Sequence, residues 1–145
     1  LSFAAGLGLF CALSSGNGRE RTQTIKLNQK AFEFAQELIK GGHAVADNRN
    51  AWGDHQPSAE KENEFIRQHG FAEYAKWHLG IDETHAENAK ARYKFPFGDF
   101  KNVHRCAVLA ARSRAAQYQY DNIAKAAAHL DELIRTKEVM PAIAW

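Results

Sequence analysis

From residue 25 onward the apolar positions recur mostly at helical spacing. Leu27, Ala31, Phe34, Ala35 and Leu38 fall three or four residues apart, which puts their side chains on one face of an α-helix. Asn28 is placed to cap the start of that helix, and Gly41 with Gly42 closes it. Ser58, after Pro57, is placed to cap a second helix running to His69. It carries Glu60, Glu62 and Glu64 on a polar side and turns Phe65 and Ile66 inward, and Gly70 ends or bends it. A short third helix is expected with Phe71, Tyr74, Ala75, His78 and Leu79 along one side, stopped by Gly80. Thr84 and Glu87 have the spacing of a capping box and predict one or two further helical turns.

Proline then breaks the pattern. Pro96 pushes Phe95 out of the α region, so residues 93–98 are expected to be extended, with Gly98 in a turn. Asp99 is placed to cap a helix over residues 100–117. Its segment 106–111 is apolar on every side, as in a central helix. A last helix, from Asp121 to about Arg135, carries Ile123, Ala127, Leu130 and Ile134 on one stripe. The short link before it predicts an antiparallel hairpin. Residues 43–57 show neither helical nor strand period and read as a long loop anchored by Trp52. No segment gives a strand signal of useful length. The expected fold is therefore all-α: an irregular bundle of four to five helices with one long extended connection, over residues 25–135, with 136–145 as a frayed tail.

Residues 1–15 are almost wholly apolar and uncharged. A secretion signal would show a basic segment before its apolar run, and a membrane span needs about 20 apolar residues. The run has neither. Residues 1–24 are read as an apolar segment and polar linker outside the domain, with secretion expected only if residues 1–15 are a genuine signal.

The chain has 145 residues, enough for one domain with its own core, and a formal net charge of +2, which gives no global field toward nucleic acid or membrane. Two cysteines, Cys11 and Cys106, form neither a disulfide framework nor a metal-ligand pair, and suit a reducing compartment. Seven histidines are present, but no two stand four apart as zinc-binding helices require. No glycine-rich phosphate loop and no serine nucleophile motif occurs. No metal, cofactor or catalytic residue is therefore assigned, and the leading reading is non-enzymatic.

Charge is unevenly placed. Residues 47–88 hold nine acidic and four basic side chains, whereas residues 90–114 hold seven basic and one acidic. Tyr93, Phe95, Phe97 and Phe100 interleave the basic ones, a pattern suited to phosphates and bases. The plainer reading is that the two segments neutralise each other within the fold. A second candidate is a small-ligand pocket assembled from Trp77, His78, Tyr93, Lys94, Asp99, His104 and Arg105: aromatic walls, a carboxylate and cations.

The stretches FAEYAKWHLGID and KARYKFPFGDFKNVHRCAVLAARSRAAQ resemble a small family of bacterial helical proteins of unassigned function. Residues 93–97, followed by a helix with Arg105, Leu109, Ala111 and Arg112, are similar to short helical modules of phage-derived proteins. The resemblance implies a helical fold and a cytoplasmic bacterial setting, and carries no catalytic residue. The leading expectation is a protein-interaction or accessory module, by partner binding or self-association. Nucleic-acid binding through residues 90–114 comes next, and the small-ligand or enzymatic pocket third. No membrane association of the domain is expected.

Overall fold

The computed structural model describes residues 24–139; the expectations for residues 1–23 and 140–145 lie outside them. Five helices and five short strands follow in the order β1 (Ile25–Leu27), α1 (Gln29–Lys40), β2 (Ala44–Val45), α2 (Trp52–His55), α3 (Ala59–Ala75), β3 (His78–Asp82), β4 (Tyr93–Pro96), β5 (Val103–His104), α4 (Arg105–Gln117) and α5 (Asp121–Val139). The fold is mixed α/β, which corrects the all-α expectation. Strands β1, β3 and β4 form an antiparallel sheet with β3 in the middle, and β2 pairs with β5 in parallel.

The helices follow their sequence signals. The Asn28 side chain accepts from the Ala31 amide to cap α1, and its Nδ2 donates to the carbonyls of Ala75 (3.0 Å) and His78 (3.1 Å). One buried amide thus ties the start of α1 to the end of α3 and the first residue of β3. Ser58 caps α3 by accepting from the Lys61 amide, and α3 bends at Gly70, whose φ is 87°. A three-residue link joins α4 to α5, and these two helices share the most extensive packing of any pair of elements. Their buried faces, with Val108, Ala111 and Ala115 against Ile123, Ala127, Leu130 and Ile134, join Ala31, Ala35 and Ile39 of α1 in one core.

The strands are where the sequence misleads. The expected helix over residues 71–79 ends at Ala75, and His78–Asp82 is the central strand instead. Gly80 is not a helix stop. It sits mid-strand because the Phe95 ring and the Ile25 side chain close over it, and a Cβ there would lie 2.8 Å from Phe95 Cδ2 and 2.9 Å from Ile25 Cγ2. Thr84 and Glu87 form no helical turn. Asp82 accepts from the Thr84 amide and hydroxyl and holds a tight turn in its place. Asp99 likewise caps a turn, accepting from the Lys101 and Asn102 amides, so α4 begins at Arg105 and not near residue 100. The expected loop 43–57 contains β2 and the single-turn α2. Residues 93–96 form β4, but Phe95, expected to be extended before Pro96, has a φ of 61°.

Among the described residues no helix is long and apolar enough to cross a membrane.

At Gly98 an added Cβ would strike the Asn102 carbonyl oxygen and lie 2.6 Å from Trp77 Cζ3. The carbonyl belongs to the backbone of the turn that positions Asp99, so it cannot swing away. Gly98→Ala is expected to lose about 2–3 kcal/mol in urea unfolding, the range of an overpacked core.

His78 generates a second expectation. Its ring is buried, and burial lowers its pKa to about 4 against a smaller upward effect of the Tyr74 carbonyl, which Nδ1 contacts at 2.9 Å. A depressed histidine pKa means that the unfolded chain binds a proton the folded chain refuses. The neutral ring's contribution is complete above about pH 6.5 and falls as pH drops toward 4, by up to about 3 kcal/mol. Unfolding free energies measured from pH 7 to 4 should show this loss, and His78→Gln should flatten it.

Candidate metal centre

The parallel pairing of β2 with β5 sets up a cluster of polar side chains. Its register matches Ala44 with Val103 and Val45 with His104. Carried two residues further, it brings Asp47 beside Cys106 in the first turn of α4. The Cys106 amide there lacks an intrahelical acceptor, and residue His104 provides no side-chain cap. Asp47 supplies the cap from across the chain: its Oδ1 accepts from the Cys106 amide at 2.8 Å.

The other oxygen, Oδ2, is where the remaining groups converge. His104 Nδ1 and His55 Nδ1 each lie 2.7 Å from it, and the Cys106 thiol donates to it at 3.2 Å. Cys106 Sγ is 3.6 Å from His55 Nδ1. One donor atom each from Asp47, His55, His104 and Cys106 falls within 4.8 Å of every other. His104 Nε2 faces Asp99 Oδ2 at 2.8 Å, and the turn amides of Lys101 and Asn102 fix that carboxylate. His104 and Cys106 are buried, whereas His55, on α2, is exposed and forms the open side.

Electrostatics follow from this crowding. Burial by itself would raise the Asp47 pKa, but the hydrogen bonds from His104, Cys106 and His55 outweigh it and lower it to about 2. Burial would lower the His104 pKa, yet its contacts with Asp47 and Asp99 turn the balance upward. For Asp99, too, burial acts upward and is outweighed, by the turn amides and His104, so its pKa falls. Burial and the neighbouring Asp47 carboxylate push the Cys106 thiol up to about 12.

That pattern does not suit a thiol nucleophile. Activation needs a base on the sulfur whose second nitrogen is held by an orienting group. His55 turns the same nitrogen to Sγ and to Asp47, and both nitrogens of His104 face carboxylates. A neighbouring anion also disfavours the thiolate. A cation changes each of these terms. It deprotonates the thiol, takes the imidazole lone pairs and neutralises the carboxylate. Thiolate, two imidazoles and a carboxylate are zinc donors. Asp99 on His104 Nε2 stands where a metal-bound histidine would carry its outer carboxylate, and Nδ1 would be the ligand atom.

Other sequence candidates sit elsewhere. Trp77 and His78 are buried, the indole against Phe97 and Phe34 and the imidazole against Tyr74. The Tyr93 hydroxyl donates to the Glu87 carbonyl at 2.6 Å. Arg105 pairs with the buried Asp131 at 2.8 Å, and Lys90 with Glu62 at 2.9 Å. Of the seven residues expected to share a pocket, Asp99 and His104 meet at the cluster, and Lys94 and Tyr93 line a separate cavity. Asp47, His55 and Cys106 carried no signal as ligands, because Asp47 and Cys106 stand 59 residues apart in sequence. Their one trace in the sequence is that they flank the segments that pair as β2 and β5.

No protein-family model, curated protein or solved structure matches the chain.

Removing the Asp47 carboxylate leaves an uncapped helix start and takes the partner from His104 Nδ1, while Nε2 keeps Asp99. In the metal-free chain Asp47→Ala is expected to cost about 2–4 kcal/mol, the range for charged hydrogen bonds and broken buried pairs. Asp47→Asn should cost less, because its amide oxygen still accepts from Cys106. Urea unfolding of both variants checks the order.

Proposed function

We propose that this chain is a zinc-binding α/β module in which one ion fastens the segment carrying Asp47 and His55 to the start of α4. The observation that carries this reading is the convergence of four different donor side chains, from three separate parts of the chain, within 4.8 Å. Four protein ligands fill a tetrahedral shell, which is the arrangement of structural zinc rather than catalytic zinc. Tetrahedral ligands at zinc bond lengths stand about 3.3–3.8 Å apart. The Cys106–His55 separation of 3.6 Å already matches. The two contacts of 2.7 Å, which hold shared protons, lengthen by roughly 0.6 Å when a cation replaces them.

Charge supports the same reading. With the thiol ionised, the ligands supply two negative charges to a divalent ion, and Asp99 supports His104 from outside. The ion acts as a clip. It holds a segment with little regular structure against the helix at the centre of the fold.

Cobalt(II) is the direct probe, because thiolate coordination gives it a charge-transfer band and tetrahedral geometry gives it intense visible bands. The full chain is expected to bind one equivalent, and zinc should displace it. Cys106→Ser should remove the charge-transfer band, and His104→Ala should abolish tight binding. Zinc at 100 times its dissociation constant should stabilise the chain by about 2.7 kcal/mol. A cobalt spectrum that stays that of the aqueous ion would overturn the proposal and leave the cluster as an imidazolium held between two carboxylates.

A further inference from the structure

A cavity of about 550 Å³ lies beside the cluster and shares a wall with it. The wall is α2 with the residue that follows it: Trp52 and Gln56 line the cavity, and His55 between them belongs to the cluster. The Trp52 ring centroid is 6.0 Å from that of His104. Helix α4 contributes Ala107, next to Cys106, and then Ala110 and Ala111, all small side chains.

Two features of the lining point to one class of ligand. The walls are aromatic and flat, with Trp52, Phe95 and Tyr118 around the space, and Tyr118 is 56% exposed although it is large and apolar. The charges are of one sign. Lys94 and Arg114 line the cavity, no acidic side chain does, and among the described residues neither cation forms an ion pair. Lys94 interacts electrostatically with Asp82, without an ion pair or hydrogen bond between them. Two cations without an ion-pair partner beside aromatic walls complement an anion with a flat apolar body. Phe95 adds a separate sign: it lies in strand β4 with φ at 61°, a left-handed conformation that bulky residues avoid. Such strain gathers at ligand sites.

We propose that this cavity binds a small organic anion, an aromatic or similarly flat molecule bearing one carboxylate or phosphate. The apolar body packs against Trp52 and Phe95, and the anionic group meets Lys94 and Arg114. This site is distinct from the metal centre and does not require it.

The test is a titration of the full, isotope-labelled chain followed by amide NMR. The probes are 2-naphthoate, 2-naphthyl phosphate, the neutral 2-naphthylmethanol and the cationic 2-naphthylmethylamine. 2-Naphthoate or 2-naphthyl phosphate is expected to shift the amides of Ala107, Ala110 and Arg114, and the tighter of the two identifies the headgroup. The alcohol should bind about tenfold more weakly, and the amine not at all, given what charged hydrogen bonds contribute. Lys94→Gln with Arg114→Gln, both outside the core, should reduce anion binding to that of the alcohol. Cys106→Ser, which removes a metal ligand but no cavity wall, should retain the anion-induced shifts, so a failed cobalt titration leaves this site standing. Equal binding of anion, alcohol and amine, or no shift at the cavity amides, would overturn the proposal.

Discussion

The half-buried carboxylate of Asp47 is the contact on which the centre of this molecule turns. A helix that begins inside a protein has amide groups with no intrahelical partner. At α4 the residue in the capping position is His104, which provides no cap to its own helix. The cap comes instead from a segment more than fifty residues away, and the parallel register of β2 and β5 places it. Once a carboxylate is fixed there its negative charge must be matched, and His104, His55 and the thiol gather around its second oxygen. A favourable anion at a helix start and a cluster of metal donors are thus two consequences of one placement.

Why α4 must start at that point is a matter of packing. Its face of Val108, Ala111 and Ala115 meets α5 closely because alanine leaves room for a neighbouring backbone, and its own first turn lies just beyond β5. Other alanines of the same helix, Ala107 and Ala110, line the cavity together with Ala111. A single composition bias therefore serves the core and the ligand space together. The three-stranded sheet fits the remaining side of the core by the same rule. Gly80 lets Phe95 and Ile25 close over the middle strand, and this crossing holds β1 and β4 against β3.

The helices were legible because their signals are local. Asn28, Ser58, Gly70 and the stripe of Ile123, Ala127, Leu130 and Ile134 each act within a few residues, and the structure places them as their chemistry requires. The strands were not legible because they run from two to five residues, too short for a period of two to emerge. Gly80 and Asp99 then misled in opposite ways. Each was read as punctuation for a helix, while one fills a close approach in a sheet and the other closes a turn. At the site, His104 and Asp99 stood out as polar residues beside an extended segment. Asp47, His55 and Cys106 did not, because a ligand set drawn from three segments has no spacing in sequence. What brings them together is the β2–β5 register, and a pair of two-residue strands leaves no pattern to read.

One element ties the two sites together. Helix α2 is a single turn from Trp52 to His55, and no side chain caps its start. A helix that short has no stability of its own, since forming the first turn costs more than one hydrogen bond returns. Its position is set by what its side chains touch: His55 on Asp47, and Trp52 near His104. Whatever fixes His55 therefore also fixes Trp52, and the converse holds. An ion held through His55 orders a wall of the cavity, and a molecule stacked on Trp52 orders a ligand of the ion. Thermodynamic linkage makes that coupling equal in both directions. The anion site survives loss of the metal because its cations and its α4 wall stand on other elements, and α2 adjusts how tightly it holds.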